Sequence, residues 1–114
     1  MHEMGIAEAA LQQVAAQAQQ AGATRVHRIG LRIGALSGVD PEALRFALEI
    51  ALPESSAAGA EVDIEYLPAR ARCNGCGDEF QPTDGLLFEC PRCHALGGTI
   101  LQGKELDLVH LECS

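Results

Sequence analysis

Cys73-Asn74-Gly75-Cys76 and Cys90-Pro91-Arg92-Cys93 are two C-x-x-C turns with thirteen residues between them, and their reading decides how the chain is organised. Two residues between cysteines let both thiolates reach one ion from a tight turn, and a second such turn completes a tetrahedral shell. Gly75 and Gly77 relax the backbone where amide groups turn toward sulfur, and Pro91 stiffens the second turn. Phe80, Leu87 and Phe88 lie between the pairs, where they can give the ion an apolar cover. The spacing favours structural zinc over an iron centre with the same four ligands or a pair of disulfides. Cys90 to His94 also satisfies the C-x-x-C-H rule for haem attachment, but the second cysteine pair and the lack of an export signal weigh against haem. Four thiolates leave no open coordination position, so the zinc is expected to hold structure and perform no hydrolysis.

Outward from these turns the composition changes sharply. From Arg70 to Gly98 the chain is rich in Cys, Gly, Pro and polar residues with little periodicity, which reads as a separate lobe. Before it, Ala7, Leu11, Val14, Ala18 and Ala21 recur at helical spacing over Ile6 to Ala21, and Gly22 closes that helix. Ile29, Leu31 and Ile33 alternate with Arg28, Gly30 and Arg32 as in a half-buried strand, and Val62, Ile64 and Tyr66 alternate with Glu61, Asp63 and Glu65 as in a second. Between them Gly34 to Gly38 reads as a loop. Asp40, Pro41 and Glu42 form a helix start, with Leu44, Ala47, Leu48 and Ala51 as its buried stripe and Pro53 as its end. After the lobe, Lys104 to Glu112 is extended, with apolar residues on both parities, so it is either covered on both faces or broken by a bulge. The order predicts an α+β fold: a small sheet of about three strands with two helices, plus an inserted zinc-ribbon-like lobe. The predicted division is a body of residues 1–69 and 99–114 and a zinc-binding lobe of residues 70–98.

A chain of 114 residues with three Phe, one Tyr and no Trp has a thin aliphatic core, to which a metal cross-link would add useful stability. The net charge of -8 and only eight Lys and Arg argue against a nucleic-acid footprint. No apolar run approaches the roughly 20 residues of a membrane span, and Met1-His2-Glu3 is not followed by an export pattern. A cytoplasmic protein with reduced thiols is therefore expected, in which five cysteines are read as four ligands and a spare, Cys113.

The opening tripeptide is a second candidate metal site. The terminal amine, the His2 backbone nitrogen and the His2 imidazole can close adjacent chelate rings on one divalent ion, with Glu3 offering a further nitrogen or a carboxylate; such ligation suits Ni(II) or Cu(II). A His at position two is otherwise an ordinary mobile residue. His27 and His110 lie on strand patterns and read as satisfied core or surface histidines, His94 as an exposed or neighbouring side chain, and Asp40 as a helix cap. No nucleophile, phosphate loop or carboxylate pair points to catalysis.

Taken together, Met1-His2-Glu3-Met4, the central run from Ile33 through Gly34, Leu36, Ser37, Gly38, Asp40, Pro41 and Leu44 to Phe46, the four cysteines, and Gly103 to Leu108 resemble, in order, the HypA/HybF family of nickel-insertion accessory proteins. The resemblance implies a nickel metallochaperone and not an enzyme, with His2 as nickel ligand and Glu3 adjacent, and with zinc on Cys73, Cys76, Cys90 and Cys93. It also implies work beside a HypB-like GTPase to load the large subunit of NiFe hydrogenase, and in some relatives urease. The alternative, a zinc-ribbon module binding protein or nucleic acid with no nickel role, predicts a basic patch and indifference to nickel.

Overall fold

A computed structural model describes residues 3–82 and 88–114 of the chain. Met1, His2 and Leu87, all named above, lie outside the described residues. The elements are α1 (Glu3–Gln20), β1 (Val26–Gly34), α2 (Pro41–Ala51), a 3-10 turn (Leu52–Glu54), β2 (Glu61–Leu67), β3 (Arg70–Arg72), β4 (Glu79–Phe80), β5 (Thr99–Gln102) and β6 (Leu106–Cys113).

Ala7, Leu11, Val14 and Ala18 are the buried residues of α1, as their spacing predicts, whereas Ala21, expected on the same stripe, falls past the helix end at Gln20 and is exposed. The described helix reaches back to Glu3, the first described residue and three residues before Ile6, because nothing in that stretch breaks it. In α2 the Asp40 carboxylate accepts from the Glu42 amide at 3.0 Å, Pro41 occupies the first helical position, and Leu44, Ala47 and Leu48 are buried. Replacing Asp40 by Ala is expected to cost about 1 kcal/mol in urea unfolding, whereas Asn, which keeps the acceptor, should cost little. Equal losses from both variants would show that the charge, and not the cap, matters.

Parallel strands need a crossover, and α2 supplies it between β1 and β2; β6 pairs antiparallel on the other side, giving the order β2-β1-β6. Ile29, Leu31 and Ile33 of the central strand are buried against the helices, with Val62, Ile64, Leu108 and Leu111 half-buried beside them. On the opposite face, Arg28 meets Glu61 at 2.6 Å, Asp63 at 2.7 Å and Glu112 at 3.1 Å, and Arg32 meets Glu65 at 2.6 Å. These pairs are open to solvent, whose screening leaves each of them little net stabilisation.

The alternatives left open for the last strand resolve to a bulge. Gly30 pairs with His110 and Leu31 with Leu108, so Val109 is the extra residue and is exposed. The shift lets Leu108 and Leu111 both reach the core although they are three apart. A Cβ on Gly30 would stand 2.8 Å from that of His110, so only glycine admits this approach.

The second sheet has the order β4-β3-β5 and packs Ala71, Cys73, Phe80 and Cys90 into a small separate cluster. It takes in Thr99–Gln102, residues that the sequence reading assigns to the body. Strands of two to four residues carry too few alternations for a period to be read. Where the chain passes between the sheets, the Gly34 amide donates to the Glu105 carbonyl at 2.8 Å, the Leu36 amide to Gly103 at 2.6 Å and the Ala35 amide to Leu67 at 2.9 Å. A Cβ on Gly34 would stand 2.0 Å from the Gly103 carbonyl oxygen. The loop from Gly34 to Gly38 is thus a pin across both connecting segments.

Candidate metal centre

Each C-x-x-C turn folds the same way. In the first, the Gly75 and Cys76 amides donate to Cys73 Sγ at 3.2 and 3.4 Å, the Gly77 amide to the Cys73 carbonyl at 3.0 Å, and the Cys73 amide to the Asp78 carbonyl at 2.8 Å. In the second, the Arg92 and Cys93 amides donate to Cys90 Sγ at 3.4 and 3.5 Å, the His94 amide to the Cys90 carbonyl at 2.9 Å, and the Cys90 amide to the Ala95 carbonyl at 3.0 Å. The residue after the second cysteine takes a positive φ in both turns, 80° at Gly77 and 64° at His94. His94 therefore occupies the place of a glycine. Its φ is set by the turn, and its side chain, 74 % exposed, lies 3.8 Å from Glu89 and joins no ligand cluster.

The two turns bring their sulfurs together. All four Sγ atoms lie within 4.8 Å of one another, with Cys73 to Cys93 at 3.4 Å and Cys76 to Cys90 at 3.6 Å. A tetrahedral ion with Zn–S of about 2.3 Å has S···S edges of about 3.8 Å. The separations fit that shell and are far beyond the roughly 2.05 Å of an S–S bond. Cys73 and Cys90 are buried while Cys76 and Cys93 are exposed, so the centre lies at the lobe's surface with its inner half in the small core.

Its electrostatics ask for a cation. The Cys76 and Gly75 amides, with the neighbouring sulfurs, outweigh burial and draw the Cys73 thiol down to about 6. Cys90 is lowered too, by the Cys93 and Arg92 amides. The Asp78 amide favours a thiolate at Cys76, yet desolvation and the Cys90, Cys73 and Cys93 sulfurs together push that thiol up to about 12. One ion of charge +2 among the sulfurs removes that penalty, and zinc would supply the cross-link between the two turns with no chemistry of its own. Arg92 adds positive charge: its guanidinium bonds Asp78 at 2.7 Å, bridging the turns, and both that pair and the nearby Cys76 keep it protonated. Phe80 is buried and Phe88 packs beside it, as the apolar cover requires.

The described residues contain no other cluster of three or more His, Cys, Asp or Glu with converging ligand atoms. Cys113 is half-buried against the body core, far in the chain from the other four and outside their cluster. His27 Nε2 is 2.7 Å from Ser114 Oγ, and His110 Nε2 is 3.5 Å from Glu112, so both histidines serve the sheet. At the start of α1, the Glu3 carboxylate accepts from the Asp40 amide at 3.4 Å. This long contact was not legible in sequence, since 37 residues separate the partners and neither carries a local signal for the other. It sets the beginning of α1 beside the beginning of α2.

Three comparisons bear on this arrangement. A family model described as hydrogenase/urease nickel incorporation, metallochaperone, hypA matches residues 1–113. The hydrogenase maturation factor HypA of Chloroflexus aurantiacus is 44 % identical over 112 residues, covering 98 % of this chain and 98 % of that protein. That of Chlorobium limicola is 44 % identical over 105 residues, 92 % of this chain and 90 % of its own. Among solved structures, the solution structure of the Ni metallochaperone HypA from Helicobacter pylori is 26 % identical with a TM-score of 0.68, covering 99 % of this chain and 97 % of that one. A second solution structure, of HypA protein, is 27 % identical with a TM-score of 0.71 and covers 100 % and 97 %.

Proposed function

The chain belongs to the HypA family of nickel metallochaperones and hydrogenase maturation factors, and from that premise we propose that it takes up Ni(II) at its N-terminus, through His2 with Glu3 adjacent, and hands the ion on without catalysing a reaction. The observation that carries this reading is the family match, which runs from residue 1 and so takes in the opening tripeptide together with the four cysteines. The Glu3 contact with the Asp40 amide supports it, because it sets the residue after His2 against the start of α2.

The proposed division of labour follows the two hydrophobic clusters. The body, residues 1–69 and the chain after Gln102, carries nickel; the lobe, residues 70–98 together with Thr99–Gln102, which pairs with β3, is closed by zinc on Cys73, Cys76, Cys90 and Cys93. The partners are a HypB-like GTPase, met mainly by the acidic body, and the large subunit of NiFe hydrogenase, with urease as a further recipient in the family's description. No helix among the described residues is long and apolar enough to cross a membrane. Work in the cytoplasm suits four thiols kept reduced for a metal.

A transfer assay tests the reading. Nickel-loaded protein mixed with the GTPase, GTP and metal-free hydrogenase large subunit is expected to deliver nickel faster than the same amount of free nickel buffered to equal activity. Equal rates would mean that the chain buffers nickel and does not carry it.

A further inference from the structure

Between α1 and the end of α2 runs an open groove of about 600 Å³, lined by Met4, Glu8, Leu11, Ile50, Glu54 and Ser56 among others. Three features set it apart from a solvated seam. Two of its apolar side chains are open, Ile50 at 50 % exposed and Met4 at 39 %, and Phe46, outside the lining but four residues before Ile50 on α2, extends the open apolar surface at 64 % exposed. Its charged lining is of one sign, Glu8 on one wall and Glu54 at the other, with no Lys or Arg. Its length fits a helix, since Met4 to Ala15 spans about 17 Å, or three turns.

We propose that this groove docks an amphipathic helix of a partner protein whose apolar face carries large aliphatic residues and whose flanks carry Lys or Arg. An apolar floor with acidic walls fits that chemistry on both counts, the floor for affinity and the walls for orientation and approach. A second copy of this chain is a poor occupant: α1 has no Lys or Arg and α2 only Arg45, so two such helices facing one another would set carboxylates together. An anionic lipid surface is disfavoured by the same acids. The inference deepens the metallochaperone reading, on which it rests for the partner's purpose: Met4 follows Glu3 directly, so a helix in the groove places its owner beside the proposed nickel site. The surface itself stands on its own geometry.

The test uses the full chain, with zinc bound, and three fluorescent fourteen-residue probes: a Leu/Lys peptide with leucines at helical spacing, the same pattern with Glu for Lys, and a scrambled Leu/Lys sequence. Anisotropy at low and at moderate salt should give binding of the patterned basic peptide only. Amide shifts should fall on α1 from Met4 to Ala15 and on Ile50 to Ser56. Ile50→Ser, or Glu8→Lys with Glu54→Lys, should weaken it by about tenfold or more. Glu61→Lys with Glu65→Lys on the open face of the sheet should not. The proposal fails if the scrambled peptide binds as well, if the acidic peptide is preferred, or if the sheet-face variant loses as much as the groove variant. Nickel binding is measured on the same samples. A chain that binds the patterned peptide in the groove and takes up no nickel refutes the nickel reading and leaves the groove standing; one that takes up nickel and ignores the peptide does the reverse.

Discussion

Cys90→Ala is expected to release the zinc and unfold the lobe while the body keeps its structure. Zinc-binding free energies in small finger peptides are about 10–16 kcal/mol at neutral pH, as large as the whole stability of a typical domain. The lobe has little else to hold it. Among its described residues the buried cluster is made of Cys73 and Cys90, themselves ligands, with Ala71 and Phe80. Its strands run two to four residues, too short to persist without the cross-link. The body is different, with a continuous cluster from Ala7 to Ala57 drawn from both helices and the central strand. Metal analysis should therefore read no zinc in the variant, and amide dispersion should collapse for Arg70 to Gln102 while the resonances of α1 and β1 persist. Zinc uptake by metal-free protein should also release protons, because the Cys76 thiol, pushed up to about 12, is protonated at pH 7 and must lose its proton to bind. Full zinc content and an unchanged melting profile in Cys90→Ala would remove the four-cysteine assignment.

The sequence was most legible where structure is local. Asp40, Pro41 and Glu42 announce α2 because a cap is satisfied within two residues, and spacing alone gives the buried stripes of both helices except at their last predicted members, Ala21, which is exposed, and Ala51, which is half-buried. The four cysteines are legible for a similar reason: each pair makes its own turn, and two half-sites have only one way to complete a shell. What escaped is set by contacts distant in sequence. The bulge at Val109 depends on His110 meeting Gly30 across the sheet, and the loop after Ile33 is held by Gly103 and Glu105, so neither could be settled from its own residues. The left-handed backbone at His94 is visible only when the second turn is laid over the first and His94 falls on Gly77. The groove between the helices follows from Ile50 and Met4 lying open where helical spacing alone does not say which neighbour will cover them.

The central claim is that nickel binds the free N-terminus through its amine and the His2 imidazole, and equilibrium titration tests it directly. Nickel must displace a proton from the amine, whose ordinary pKa is about 7.7–8.0, and from the imidazole, at about 6.5. Lowering the pH from 8 to 6 should weaken binding about 40-fold through the amine and about fourfold through the imidazole, with a further loss of about tenfold per pH unit from the backbone amide proton that nickel displaces at His2. Acetylating Met1 removes the amine's basicity and leaves every side chain in place, so the acetylated chain should lose tight binding with zinc content and melting profile unchanged. His2→Ala should do the same. The measurement is the nickel isotherm at pH 8 and at pH 6 for three forms of the protein, native, acetylated and His2→Ala. The account predicts one tight nickel per chain in the native form alone, with that steep loss at pH 6. Tight binding of equal stoichiometry and pH dependence in all three forms would contradict it.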